Sequence, residues 1–296
     1  MNKLSDEIIA FINSTQTRVI INPDGFPLSP FTYIYLVERK LIIHLITLDP
    51  QLTNGLFFQH LSIALAKQGL KIIHLWEDVW YTKQAIVKSR ILSLLGKSAT
   101  IPARLTTVRR IDKALLDDFL TAHHLQSSTT AKLKYGLFLP ERYFRVIPDE
   151  GNIFVQSLRK SLPDTNEILV AVASFSGART LVRDNISFRS YELIRFANIK
   201  GFTIVGGFDK LLKAFVKEQQ PDDIMTYADA DWSDGTSYEK LGFERIELTP
   251  PHLFYLDKES LVRVFDKQKM INYENEFIKK VWSSGSWKYL LKLKSE

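Results

Sequence analysis

The chain contains no cysteine, so it forms no disulfide, offers zinc no thiolate and has no cysteine nucleophile. It also lacks any apolar run long enough to cross a bilayer. Its start, MNKLSDEIIAFINS, reads as a short amphipathic helix with acids inside it, not as a secretory signal. These absences suit a cytoplasmic location. Charge of one sign is scarce too: 39 Lys and Arg against 33 Asp and Glu leave a net +6. That modest excess suits an acidic partner, nucleic acid first, and equally a basic enzyme that binds none. Among 296 residues, 45% are hydrophobic and 12% aromatic, enough to pack one large or two ordinary domains.

The first hundred or so residues alternate strand and helix patterns. Thr17 to Ile21 reads as a strand and Asn22-Pro23-Asp24-Gly25 as a turn. Phe31 to Leu36 and Lys40 to Leu48 are β-rich runs joined by Glu38-Arg39, a hairpin in pattern. Leu56 to Gln68 has Leu56, Phe57, Leu61, Ile63 and Leu65 at helical spacing and stops at Gly69. Lys71 to Trp76 predicts a strand, and Thr82 to Leu95 a helix closed by Gly96. Lys83, Lys88, Arg90 and Lys97, then Arg104, Arg109 and Arg110, give this end a basic surface. Such a surface suits a phosphate backbone, and equally a solvated helix face.

From near Ile101, Ala103 to Ile111 predicts a strand and Asp112 to His124 a helix with Asp112 as N-cap. Lys132 to Leu139 and Ile168 to Ser176 read as strands around a polar insertion, Pro140 to Asn166, expected as a hairpin or surface loop. Tyr191 to Ala197 is a strand and Asn198 to Gly207 a glycine-bearing loop. Phe208 to Lys217 is an amphipathic helix with Phe208, Leu211, Leu212 and Phe215 inward.

The stretch Tyr227 to Phe243, YADADWSDGTSYEKLGF, organises what surrounds it. A buried strand, Asp223 to Ala228, leads into a polar loop with Asp229, Asp231, Ser233 and Asp234. Then come a short helix, Thr236 to Leu241, a left-handed cap at Gly242, and a strand from Phe243 to Leu248. A carboxylate just past a strand's C-terminal end, facing a helix N-terminus, is a way to place chemistry on an α/β scaffold. The same acids serve as turn formers and caps. Asp229 follows the strand directly; Asp231 and Asp234 are expected in the more mobile turn, where they matter less. After Lys258, a helix-like run, Glu259 to Lys267, precedes Trp282 to Tyr289, whose aromatics stack on bases or pack a terminal hairpin.

WEDVWYTKQAIVKSRILSLLG, Trp76 to Gly96, resembles the closing strand and helix of phage homing endonucleases in the very-short-patch-repair branch of PD-(D/E)XK nucleases. The resemblance implies metal-binding acids on the hairpin before it, at positions that carry Tyr33 and His44 here. A phenol and an imidazole do not replace two carboxylates around a hard cation, and Glu77 and Asp78 are too few alone. The first domain is therefore expected to hold no metal and to cleave no DNA.

Ile101 to Asp257 resembles the GNAT acyltransferase fold in its order of strand, helix, strands, loop, helix, strand, helix, strand. Tyr238-Glu239-Lys240-Leu241-Gly242-Phe243 is the most specific piece. The resemblance implies acetyl-CoA or another acyl-CoA as donor, cradled by Val205, Gly206, Gly207 and Phe208. The adjacent glycines and Thr203 depart from the usual loop. ELIRF (Glu192 to Phe196), the glycine pair, YAD (Tyr227 to Asp229) and YEKLGF are similar again to the C-terminal halves of the phage proteins and to Mom-type proteins, which modify adenine in DNA. By that likeness Glu192, Arg195, Tyr227, Asp229 and Tyr238 are catalytic candidates. Asp229 would be base or orienter, and Tyr238 the acid for a departing thiolate. An ion pair on adjacent strands is the structural alternative for Glu192 and Arg195; packing is the alternative for Tyr238. Lys83, Lys88, Arg90 and Lys97 are the candidate DNA contacts.

The expected architecture is α/β in two domains: restriction-endonuclease-like over 1–100, GNAT-like with a mixed sheet over 101–258, then a tail over 259–296. Three functions stay open at this point. One is a DNA-associated GNAT-like protein transferring an acyl-type group to a base or other amine. The others are a non-catalytic DNA-binding protein and an ordinary amine N-acyltransferase.

Overall fold

The computed structural model describes residues 3–48, 54–126, 129–162, 165–183, 186–257, 259–265 and 278–294. The fold is mixed α/β. Packing divides the chain into two compact units, each gathered from three stretches. Met1–Gln84, Ala228–Glu239 and Arg245–Lys288 form the first; Ala85–Tyr227, Lys240–Glu244 and Tyr289–Glu296 form the second.

In chain order, α1 (Lys3–Ser14), β1 (Val19–Ile21), β2 (Thr32–Leu36), β3 (Leu41–Ile46), α2 (Gly55–Lys67) and β4 (Lys71–Trp76) open the first unit. The sheet runs β1-β2-β3-β4, with β3 and β4 parallel and the other pairs antiparallel. Its strands are near-continuous apolar runs because both faces are covered: Ile42, Ile43, Leu45 and Ile46 are all buried. On α2, Phe58, Leu61 and Leu65 face inward while Leu56 and Ile63 face solvent. Asn54 caps it by accepting the Leu56 N–H at 2.9 Å. Next, α3 (Glu77–Leu94) begins earlier than the sequence suggests, so Glu77 and Asp78 open a helix rather than end a strand. The helix is interrupted at Lys83, whose φ of −131° is non-helical.

The elements that follow are β5 (Ala99–Pro102), β6 (Thr107–Arg110), α4 (Lys113–His123), β7 (Leu133–Pro140), α5 (Ile153–Ser161), β8 (Glu167–Phe175), β9 (Arg179–Arg183), β10 (Ile186–Asn198), β11 (Phe202–Val205) and α6 (Gly207–Gln219). Then come β12 (Asp223–Asp229), α7 (Thr236–Glu239), β13 (Glu244–Leu248), β14 (Leu253–Asp257), β15 (Arg263–Val264), β16 (Ile278–Trp282) and β17 (Ser286–Lys292). The large sheet has the order β13-β17-β12-β10-β8-β7-β6, with β9 added to β10. Separate small sheets pair β11 with β5 and place β14 between β15 and β16.

Asp112 caps α4 as expected, accepting the Leu115 N–H at 2.8 Å. Three readings need correction. The polar insertion contains α5, which Asn152 caps, so it is more than a loop. The glycine-bearing loop contains β11, held by parallel pairing with β5. The helix-like run from Glu259 instead forms a turn and β15, with residues 266 and 267 outside the described set. Tyr289 of β17 is fully buried and Trp282 packs on the Phe31–Phe58–Trp76 cluster, so these aromatics serve as core.

Candidate functional site

The second unit's site is built around β10. This strand pairs in parallel with β12 over Ser190 to Leu193, beside Asp223 to Thr226. On its other side it pairs antiparallel with β8, and that register slips between Leu193 and Arg195. A bulge therefore falls at Ile194, a common device for re-aiming side chains. Thr226 Oγ1 donates to Leu193 O at 2.9 Å and closes the last rung. Beyond it β10 continues to Asn198, and among the described residues no further pairing with β12 occupies that edge.

Strand alternation assigns the faces. Leu193 lies opposite Phe175, and Phe175 stacks on Phe215 of α6 at 3.8 Å, so this is the α6 face. Arg195 lies opposite Ser174 on the other face, with Glu192. Glu192 is beside Met225 in β12, which puts Tyr227 on that face as well. At its far end α4 covers it, with Leu116, Phe119 and Leu120 on Val172 and Ala197. Glu192, Arg195 and Tyr227 are thus brought together, and not as an ion pair on adjacent strands. Glu192 and Arg195 share one strand, and Arg195 Nη1 donates to Ile194 O at 2.8 Å. The Glu192 carboxylate is half-buried and has no hydrogen bond or ion pair among the described residues.

Ahead of α6, Gly206 has φ +76°, and a Cβ there would meet nothing nearer than Ala103 at 3.9 Å. The left-handed turn needs glycine. At Gly207 a Cβ would reach the Ile204 side chain at 2.9 Å, so this glycine answers to packing. Val205 is exposed, and Phe208 lies between Phe196 (4.8 Å) and Phe243 (6.4 Å). The cradle's donors are backbone N–H groups of the first turn. Lys210 Nζ is engaged elsewhere, donating to Ala103 O (2.9 Å) and Thr106 O (2.5 Å).

Asp229 and Tyr238 belong to the first unit. The Asp229 carboxylate accepts the Asp231 N–H at 3.0 Å, and its carbonyl accepts from Trp232 and Ser233. Tyr238 lies in the single turn of α7, its N–H on Gly235 O at 2.8 Å. Of the basic candidates, Lys83, Lys88 and Arg90 are half-buried and Lys97 is exposed. Farther along, Arg109 pairs with Glu167, and Arg110 clasps Glu218, which also accepts the Tyr135 hydroxyl at 2.9 Å. The basic stretch is therefore not a uniform solvated face.

The first unit buries polar groups that no local reading finds. Asp231, expected in a mobile turn, is 4% exposed and accepts both the N–H (3.0 Å) and the hydroxyl (2.5 Å) of Ser284 on Oδ1. Burial and the Asp229 charge push its carboxyl up to about 7. Asp78 is clasped by Arg263 through Nε (2.5 Å) and Nη2 (2.9 Å). His44 and His74, paired in register, meet Nδ1 to Nδ1 at 3.0 Å. Ser29 meets His44 Nε2 at 2.8 Å and Ser62 meets His74 Nε2 at 2.9 Å. A neutral imidazole has one N–H and one lone pair, so one ring donates to the other along this string. Burial, with His74 nearby, holds His44 well below the usual range, and burial takes His74 to about 3. Tyr33 stacks on His44 at 4.9 Å. Among the described residues no group of three or more His, Asp or Glu could hold a metal ion. No described helix is long and apolar enough to cross a membrane.

No protein-family model and no curated protein matches the chain. Solved structures that resemble it include N-acetyltransferases. The ribosomal-protein-S18-alanine N-acetyltransferase from Escherichia coli is 10% identical, with a TM-score of 0.32 over 64% of this chain and 96% of that one. Arabidopsis thaliana NAA60 in complex with acetyl-CoA is 9% identical, with 0.36 over 64% and 99%. A histone acetyltransferase HPA2 and related acetyltransferase from Corynebacterium glutamicum is 14% identical, with 0.32 over 64% and 97%. At such scores the likeness carries no functional argument, which rests on this chain's own geometry.

Proposed function

We propose that the second unit transfers an acyl group from an acyl-CoA thioester to an amine. The observation that carries this reading is the parting of β10 from β12 after the Leu193–Thr226 rung, next to the bulge that β10 makes against β8 and beside a helix that opens on Gly206-Gly207. Apart from α5 and β11, the element order from β6 to β13 follows the order that the acyltransferase resemblance implies. The residues present fit the donor through backbone alone. Val205 to Phe208 would hold its pyrophosphate at the α6 N-terminus, where the N–H groups of a helix's first turn and the helix dipole favour an anion. The open β10 edge would take the amide-bearing arm as a strand takes a neighbour.

A bound thioester supplies an electrophilic carbonyl and a thiolate leaving group. On the chain's side, the Glu192 carboxylate has no hydrogen-bond or ion-pair partner among the described residues and lies beside that edge. It attracts the amine as ammonium, accepts its proton, and leaves the nitrogen lone pair free to attack. The new C–N bond forms as the C–S bond breaks, and the thiolate takes up the proton that the acylated nitrogen releases. Tyr227, on the same face, orients the acceptor, and Arg195 fixes the bulge through Ile194 O.

Calorimetry with acetyl-CoA and an acetyl-transfer assay over a panel of primary amines test this. Glu192→Gln should lower transfer by roughly 10²- to 10⁴-fold, the usual scale for a lost general base, while acetyl-CoA still binds. Asp229→Asn retains its turn-forming oxygen and should transfer near the normal rate. A protein that binds neither coenzyme A nor acetyl-CoA would refute the reading. A large loss in Asp229→Asn with Glu192→Gln normal would move the base to Asp229.

A further inference from the structure

Strand β8 ends at Phe175, and the next residue, Ser176, is tied twice to β10. Its N–H donates to Glu192 O at 2.9 Å, and its Oγ accepts the Glu192 N–H at 2.9 Å. The hydroxyl hydrogen goes to Gly177 O at 2.8 Å. Leu193 lies opposite Phe175 in the antiparallel register, which sets Glu192 opposite Ser176. In such a ladder the two residues of a hydrogen-bonded pair exchange two backbone bonds, each N–H going to the other's C=O. Here a side-chain hydroxyl stands in for the Ser176 carbonyl in one of the two.

This matters because of what Glu192 lacks. Its carboxylate has no hydrogen-bond or ion-pair partner among the described residues, so its aim follows from the backbone that carries it. On the β12 side Glu192 runs beside Met225; on the β8 side both its N–H and its C=O are held by Ser176. The clamp sits just ahead of the bulge at Ile194, where the β8 register slips. Ser176 is half-buried, so packing does not demand a hydroxyl there. Accepting the Glu192 N–H does. Without that oxygen the ladder offers the Ser176 carbonyl instead, and reaching it means turning the β10 backbone at Glu192.

We propose that Ser176 is a positioning residue for acyl transfer, setting the Glu192 carboxylate through the Glu192 N–H. This rests on the acyl-transfer reading with Glu192 as base. The test is a double-mutant cycle on the full chain: Ser176→Ala, Glu192→Gln and the two together, with Ser176→Thr alongside. Each is assayed by acetyl transfer to the best acceptor of the primary-amine panel and by calorimetry with acetyl-CoA. Ser176→Ala should lower kcat by roughly 10- to 100-fold, the scale of a misplaced catalytic group, with acetyl-CoA affinity unchanged. Ser176→Thr keeps the hydroxyl and should recover most of the rate, which also serves should the alanine variant unfold. In the Glu192→Gln chain, Ser176→Ala should cost little more, because its effect passes through the carboxylate. A residue that only holds the sheet together would cost the same factor in both backgrounds. Equal factors, or Ser176→Ala at the normal rate, overturns the inference and leaves Glu192 standing as base. Normal transfer by Glu192→Gln, or none by the unaltered chain, overturns both.

Discussion

Asp231 and the His44–His74 pair are buried ionisable groups with opposite demands. Asp231 keeps its proton more readily folded than unfolded, so the folded chain binds the extra proton between the ordinary carboxylate range and about pH 7. Its contribution is full at acid pH and is lost as pH rises through about 7. The histidines are depressed when folded, so their contribution is full above the ordinary imidazole range and is lost as pH falls toward about 3. The two systems touch, since His74 N–H donates to Asp231 O at 2.8 Å. Asp231→Asn, which can still accept from Ser284, should flatten the alkaline arm of a melting-temperature profile and leave the acid arm. An unaltered alkaline arm would mean that Asp231 does not titrate there. His74→Phe alone strands the His44 nitrogen and should cost about 1–3 kcal/mol in denaturant unfolding at neutral pH. Joined with His44→Phe, it should cost less than the single changes sum to, and the acid arm should shrink.

Elements with strong local signals were legible. The β2–β3 hairpin, α2, α4, α6 and β12 follow from period, caps and glycine stops, because in each the local preference agrees with the fold. What stayed hidden depends on distant partners. β11 is four residues between glycines and exists because β5 lies beside it. Asp231 reads as a turn acid until Ser284, far along the chain, arrives to donate its N–H and hydroxyl to the buried carboxylate. The bulge at Ile194 leaves no mark in ELIRF, although Glu192 and Arg195 were legible as a pair worth testing. The rung that ends the β10–β12 pairing is a side chain's work. Thr226→Val keeps the shape, removes the donor to Leu193 O, and should cost about 0.5–1.5 kcal/mol. If that rung sets where the strands part, acetyl-CoA affinity should fall in calorimetry beyond what a matched loss of stability at a remote core site produces.

At the scale of the whole molecule, acid should act unevenly. Of the histidines with depressed values, the buried His44 and His74 are in the first unit and the half-buried His123, at about 4, is in the second. Hydrogen exchange at pH 5 should therefore show protection falling sooner in β3 and β4 than in β7 and β8; equal loss in both would count against the histidine account. The interleaving of the units also bears on how the chain comes to be folded. Each is threaded from three separated stretches, so no single cut yields either one whole. A ribosome making this chain has released the first sheet long before Ser284 emerges to meet Asp231, and until then the first unit must wait, incomplete, for nearly all of its successor to be translated. Whatever shields Phe31, Phe58 and Trp76 in that interval is not yet the native partner, and growth temperature or chaperone supply, more than the finished protein's stability, will decide how much of it survives synthesis.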